Sequence, residues 1–353
     1  MTFDPIDLGS IRRLGILVPN WLGDAVMAEP TIRAIADAAP HLEIKTFGKP
    51  GTLAMLDGHS AIAEAIPLRD GGLLGPVVAG REVRRHAPDA LLLLRGSFRS
   101  GLVGRLSRVR PNIGYARDGR RTLLSHPIPV IERGGPRPTV DDYAVLAETA
   151  FGIAIEDRLP RLTTTPAERA AADSLLAGIE GECVAFVAGG SKIPKRWPTE
   201  RFVELARRLP PSIEHVLLLG GPDEAGLLST IARESSTDQG PAVVDLGSRG
   251  LGIDSLRGVI ERCRLMVTND TGPRHLAVAL GVPTVAIFGP TDHRWTTLPN
   301  AREQTVVAQP FLPEELVADE HPKACAVDRI PVSDVLHAVR AAIDEPDIGN
   351  PVS

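Results

Sequence analysis

Cysteine is scarce: Cys183, Cys263 and Cys325 are the only three in 353 residues, too scattered for a disulfide framework or a zinc site. No apolar run reaches the length of a membrane span. Leu276 to Phe288 comes nearest, and Gly281 and Pro283 divide it into a helix and a strand. A formal net charge of −5 advertises no basic surface for nucleic acid. The opening MTFDPIDLGS lacks the basic start and apolar core of a secretory signal and reads as a loose leader, so a cytoplasmic protein is expected. Gly-x-Gly-x-x-Gly, the Walker loop and Asp-x-Asp are all missing, the last removing the usual carboxylate pair for a nucleotide-bound divalent metal. No basic amphipathic helix of the bilayer-surface kind stands out, and there is no short tandem repeat.

What is present is a soluble globular composition, 43% hydrophobic and 24% charged, long enough for two domains. The most informative stretch runs from Arg264 to Trp295. The apolar Leu265–Val267 ends in Thr268-Asn269-Asp270-Thr271-Gly272, and Pro273 suits the first turn of a helix that Gly281 stops. A second strand, Pro283 to Phe288, follows and closes in Gly289-Pro290-Thr291. Strand, loop, helix and strand in that order mean a parallel sheet. The loop places free backbone N–H groups at the positive end of a helix, a seat for phosphate. Asp270 or Thr271 as a plain helix cap is the alternative.

Strands alternate with helices on both sides of a boundary at Leu159–Leu162. In the first half Arg13 to Pro19 is a buried strand, Asn20 to Asp24 turns into a helix over Ala25–Ala38, and strands follow at Leu42–Phe47, Ile62–Leu68, Pro88–Leu94 and Arg110–Tyr115. Gly23 admits close backbone approach. Asp24, at the helix start, is either a cap or a charged carboxylate able to take a proton. Arg95 to Ser100 reads as a polar turn. From Ala116 to Thr139 the arginines 117, 120, 121, 133 and 137 stand among glycine and proline, as a solvated connector or a basic lip for an anionic acceptor.

In the second half the strand Cys183–Val187 enters Gly189-Gly190-Ser191-Lys192-Ile193-Pro194-Lys195-Arg196-Trp197-Pro198, a loop able to surround phosphate oxygens with N–H groups and positive charge. Helices at Pro166–Leu176, Thr199–Arg208 and Ile253–Arg262, strands at Val216–Leu219 and Val243–Leu246, and a closing amphipathic helix at Val332–Ile343 complete the alternation, with IGNPVS as a frayed end. Glu224, in the turn Gly220 to Glu224, is placed either to accept from ribose hydroxyls or to favour a helix dipole.

Four phrases stand in one order: NWLGDAVMAEPTIRAI (20–35), GGSKIPKRWP (189–198), LLGGPDE (218–224) and TNDTGPRHLAVALGVPTVAIFGPT (268–291). Together they resemble the ADP-heptose:lipopolysaccharide heptosyltransferases of glycosyltransferase family 9, the opening phrase being closest to the heptosyltransferase II branch. The resemblance implies a GT-B architecture, two Rossmann-like parallel-sheet domains facing across a cleft, here 11–160 for the acceptor and 161–345 for the nucleotide sugar. It places the catalytic base on Asp24, after Gly23. Donor contacts fall on Ser191, Lys195, Glu224, Asp270, Thr271, Gly272 and His275.

The resemblance further implies inverting transfer from ADP-L-glycero-D-manno-heptose to the inner core of lipopolysaccharide, without a metal or resident cofactor. The partners would be an ADP-sugar and a lipid A-core oligosaccharide, with peripheral contact at the inner membrane and no nucleic acid. Heptosyltransferase II chains often carry several cysteines before the last helix; only His321-Pro322-Lys323-Ala324-Cys325 is found here, read as loop and packing residues. Two other readings stand beside this one: a GT-B enzyme using another nucleotide sugar, such as a UDP-sugar transferase or epimerase, and a non-catalytic nucleotide-binding scaffold.

Overall fold

The computed structural model describes residues 4–130, 135–190, 192–237 and 240–344. Arg133, Ser191 and the IGNPVS end fall outside them. The chain divides into two units, Met1–Pro160 and Arg161–Ser353, each built on one six-stranded parallel sheet.

In the first unit the strands are β1 (Arg13–Leu17), β2 (Glu43–Gly48), β3 (Ile62–Pro67), β4 (Ala90–Leu93), β5 (Asn112–Tyr115) and β6 (His126–Ile128), ordered β3-β2-β1-β4-β5-β6. Helices α1 (Leu22–Met27), α2 (Glu29–Ala38), α3 (Pro50–Ala54), α4 (Gly75–Arg85), α5 (Phe98–Ser107) and α6 (Thr139–Phe151) connect and cover them. β4 is buried along its whole length, as its unbroken Ala-Leu-Leu-Leu requires of a strand covered on both faces. Its Leu91 and Leu92 stand opposite Gly15 and Ile16 of β1.

The second unit opens with α7 (Pro166–Leu175) and continues β7 (Cys183–Val187), α8 (Thr199–Arg207), β8 (His215–Leu218), α9 (Ala225–Ser235), β9 (Ala242–Asp245), α10 (Ile253–Glu261), β10 (Leu265–Asn269), α11 (Gly272–Ala279), β11 (Thr284–Phe288), β12 (Glu303–Val307) and α12 (Val332–Asp344). Its order, β12-β11-β10-β7-β8-β9, repeats that of the first. Both are the Rossmann arrangement, in which the strand order reverses beside the first strand, here at β1/β4 and β7/β10. Open sheets of this type bind ligands at the carboxyl ends of the strands on either side of that reversal.

Several elements differ from the sequence reading. The single helix expected over Ala25–Ala38 is two, meeting at Ala28, just ahead of Pro30. The polar turn expected at Arg95–Ser100 is shorter, because Ser97 caps α5 through the Ser100 N–H and the helix starts at Phe98. The connector from Ala116 to Thr139 contains β6 and a 3-10 turn at Arg121–Leu123.

Helix α10 lies tightly on α7 because Gly258 has no side chain: a Cβ there would meet the Glu168 carbonyl. Beside it the Arg257 Nε donates to Glu168 at 2.6 Å, both side chains buried. Glu168 also accepts from the Thr165 N–H and hydroxyl at the start of α7. Arg257→Ala strands this carboxylate away from water and is expected to lower stability by about 3–5 kcal/mol, read from urea denaturation.

Candidate functional site

In the first unit the chain leaves β1 at Leu17 and turns into α1 at Leu22. Trp21 is the N-cap residue, so Asp24 does not cap; it is the third residue of α1. Gly23 is buried, and Asp24 is partly open to solvent. Helix α6 packs beside α1 and brings Tyr143 near. Burial first, and then the Asp24 charge, hold the Tyr143 phenol well above its ordinary range. Asp24 therefore has a neutral hydroxyl-bearing neighbour at neutral pH.

The same carboxyl edge is braced by arginines. Arg95 donates from Nε to the Val18 carbonyl at 2.6 Å and from Nη1 to Asp70 at 2.5 Å. Arg120 is fully buried and donates to the carbonyls of Tyr115 and Arg95 and to the Ser100 hydroxyl. Burial draws its guanidinium down to about 10, still charged at neutral pH. Arg117 lies over the Tyr115 ring and, with Arg137, approaches Asp142. Arg120 of the expected arginine run is therefore an internal strut rather than a solvated or acceptor-facing group, and of the described arginines there Arg121 alone stands exposed without such a contact.

In the second unit the turns after β7, β8 and β10 meet. Glu224 ties two of them together, its Oε1 accepting from the Gly190 N–H at 2.7 Å and its Oε2 from the Gly221 N–H at 3.1 Å. A Cβ on Gly189 would overlap the Glu224 carboxylate, which would have to move aside. Gly190 follows with φ +146°, in the region that favours glycine. Gly189→Ala is expected to push Glu224 off the Gly190 and Gly221 amides and lower stability by about 1–3 kcal/mol, measured by chemical denaturation.

An open cavity of about 480 Å³ adjoins Glu224. Val187, Leu219, Leu251 and Leu256 supply apolar wall, while Arg196 and Thr271 supply polar rim. That is the size and make-up of a small-molecule site. Arg196 is itself held by two hydrogen bonds to the Gly190 carbonyl, at 2.8 and 2.6 Å.

Next to this cavity Lys195 Nζ reaches Asp270 Oδ2 at 2.7 Å. Burial works to raise the Asp270 carboxyl, but Lys195 and Arg274 outweigh it and the shift is downward. Thr271 is the N-cap of α11 yet makes no capping bond; its hydroxyl turns to Thr268 at 3.2 Å. The start of α11, at Gly272, thus keeps its first N–H groups open beside a lysine. His275 is buried one turn on, and burial with Arg274 nearby draws it down to about 3, so it is a neutral imidazole.

Glu224, Asp270, Thr271, Gly272 and Lys195 are thus gathered at one sheet edge, and His275 lies inside the helix they adjoin. Arg196, read from the sequence only as part of the basic phosphate loop, lines the cavity. Sequence reading missed one residue: Asn269, fully buried, clasps the turn after β7 to the end of β10. Its Nδ2 donates to the carbonyls of Ala188 and Gly189, and its Oδ1 accepts from the Trp197 N–H. The signal was available in a carboxamide closing an apolar strand. Cys325 is buried, and its carbonyl sits where a side chain on Gly289 would project.

The profile of glycosyltransferase family 9 (heptosyltransferase) matches residues 78–321. The chain belongs to glycosyltransferase family 9. This family 9 glycosyltransferase is similar to lipopolysaccharide heptosyltransferase 2 of Escherichia coli (strain K12), 26% identical over 293 residues that cover 80% of this chain and 84% of that one. Its fold matches the solved E. coli ADP-heptose heptosyltransferase II with a TM-score of 0.78 at 23% identity, over 94% of this chain and 98% of that one. E. coli heptosyltransferase WaaC with ADP follows at 0.67 and 20% identity, over 93% and 97%. The family 9 enzyme thus has the GT-B fold, its two Rossmann-like units being those described above. Among the described residues no helix is long and apolar enough to cross a membrane.

Proposed function

We propose that this glycosyltransferase moves a heptose from ADP-L-glycero-D-manno-heptose to the inner core of lipopolysaccharide with inversion at the anomeric carbon. The donor belongs to the second unit. The observation that carries this is the apolar cavity with Glu224 at one side and the Lys195-flanked start of α11 at the other. A purine lies on the apolar wall, the ribose hydroxyls donate to the free lone pairs of Glu224, and the diphosphate takes Lys195 and the N–H groups at Gly272. ADP is the nucleotide carried by the solved WaaC, and the proposal extends it to this chain. Ser191, in the same loop by sequence, contributes a hydroxyl to the donor; His275 supports the turn as an uncharged group.

The acceptor, a lipid A-core oligosaccharide, belongs to the first unit. Asp24 takes the proton from the attacking hydroxyl as that oxygen forms its bond to the anomeric carbon. The bond from that carbon to the diphosphate oxygen breaks, its electron pair leaving with ADP. Lys195 and the α11 amides stabilise the charge that develops on the leaving diphosphate. Neither a metal nor a resident cofactor takes part in this scheme, and the enzyme works at the cytoplasmic face of the inner membrane.

The test is nucleotide choice followed by turnover. ADP raises the melting temperature and UDP does not, since a ligand that binds only the folded state stabilises it. ADP-heptose with a heptose-deficient core acceptor then yields ADP and extended acceptor. A shift with UDP in place of ADP would transfer the chain to the UDP-sugar reading. ADP binding without turnover on any heptose-deficient core would leave a nucleotide-binding scaffold.

A further inference from the structure

Helix α5 ends at Ser107, and the chain passes through Arg108, at φ +61°, and Arg110 before entering β5 at Asn112. This is the amino edge of the first sheet, the edge opposite the one that bears Asp24. A cavity of about 310 Å³ opens there, lined by Arg105, Arg108 and Arg110 on one side and by Thr122, Leu123 and Ser125 on the other. No acidic side chain lines it. The far wall is fixed from within, Asn112 Nδ2 donating to the Leu123 carbonyl and Asn112 Oδ1 accepting from the Ser125 N–H.

None of these three arginines makes a side-chain hydrogen bond or ion pair among the described residues; Arg12, Arg69, Arg81, Arg84 and Arg121 of the same unit share that condition, but here three such arginines line one cavity. Other arginines of the same unit are held: Arg33 by Glu29 and Asp157, Arg95 by Asp70, Arg158 by Asp141 and Glu148. The negative end of α5 accounts for a cation in its last turn, Arg105. It does not account for two more beyond the helix, one at a left-handed position that glycine would occupy with less strain.

We propose that this pocket binds a phosphate oxyanion. Guanidinium forks present paired donors matched to phosphate oxygens, and the cavity is of headgroup size, at the small end for ligand sites. The ligand is either free phosphate or the phosphodiester of an anionic lipid. Because the pocket lies at the opposite sheet edge, the inference stands apart from the reaction proposed above.

The test uses the full chain in chloride buffer at low ionic strength. Inorganic phosphate produces a saturable rise in melting temperature, and Arg105→Gln or Arg108→Gly weakens its apparent affinity about tenfold. Glycine suits φ +61°, so Arg108→Gly keeps the fold and its loss of binding is not misfolding. Any phosphate taken up near Lys195 shifts wild type and variants equally and cancels in the comparison. In a second arm, phosphatidylcholine vesicles with and without phosphatidylglycerol are sedimented with wild type and with the Arg105→Gln/Arg108→Gly double variant. Retention on phosphatidylglycerol that the double variant loses identifies the lipid headgroup. A phosphate shift that the double variant loses, without vesicle preference, identifies the free ion. Equal behaviour of wild type and double variant in both arms overturns the proposal.

Discussion

The Asp24→Asn enzyme is expected to turn over about 10²–10⁴-fold more slowly, the range that a general base contributes, while its melting-temperature rise with ADP is unchanged. The substitution is close in shape and keeps its place in the first turn of α1. It gives up the favourable charge–dipole contact there, about 0.3–1 kcal/mol. What it cannot do is accept a proton. Tyr143 supplies an independent readout, since the Asp24 charge is one of the causes holding its phenol up. Losing that charge brings the phenol down, though burial, the larger cause, still keeps it protonated at neutral pH. Spectrophotometric titration of tyrosinate follows this, and initial rates of ADP release follow the chemistry. Wild-type rates in Asp24→Asn would remove this carboxylate from the mechanism.

Lys195→Ala should come next in severity, slowing turnover about 10²–10³-fold, as loss of one preorganised charge-stabilising group does elsewhere. Two effects combine. The leaving diphosphate loses a cation, and Asp270 loses its nearest counter-charge at 2.7 Å. With Lys195 gone, burial acts on Asp270 against Arg274 alone among the arginines and lysines named above, at 3.7 Å, and its carboxyl moves up from its lowered position. An anion then sits beside a helix start meant to receive one. Asp270→Asn separates these effects, because it releases Lys195 without removing it. Its rate is expected to fall less than that of Lys195→Ala. If the Lys195→Ala/Asp270→Asn double variant regained the wild-type rate, Lys195 would act only by neutralising Asp270.

Much of the architecture is legible in the chain because parallel strands buried on both faces must be continuously apolar. Leu91–Leu93 and Thr284–Phe288 announce themselves that way. The elements that escaped notice lack this signature. Strand β12, Glu-Gln-Thr-Val-Val, lies at a sheet edge and buries only Val306 fully. Helix α5 carries Gly101 and Gly104 in place of an apolar stripe, since Arg120 and Leu93 press against them. The residue types of the second-unit edge were readable from its phrases: Lys195, Glu224 and Asp270 each make a polar contact there. What could not be read was which groups hold the edge itself. An arginine's sequence context does not say whether it faces water, as Arg121 does, or three acceptors inside the sheet, as Arg120 does. Asp24 gave the opposite lesson: its residue type favoured a cap, and the helix starts two residues earlier.

The amide of Asn269 donates toward two carbonyl oxygens while its own oxygen takes a third group, all within one buried turn. Exchange of its nitrogen for oxygen, the difference between this side chain and that of aspartate, would set lone pair against lone pair at Ala188 and at Gly189. Two connecting loops, the one after β7 and the one after β10, rest on a single hydrogen-bond polarity. Drift at this codon is therefore constrained by dipole direction rather than by size.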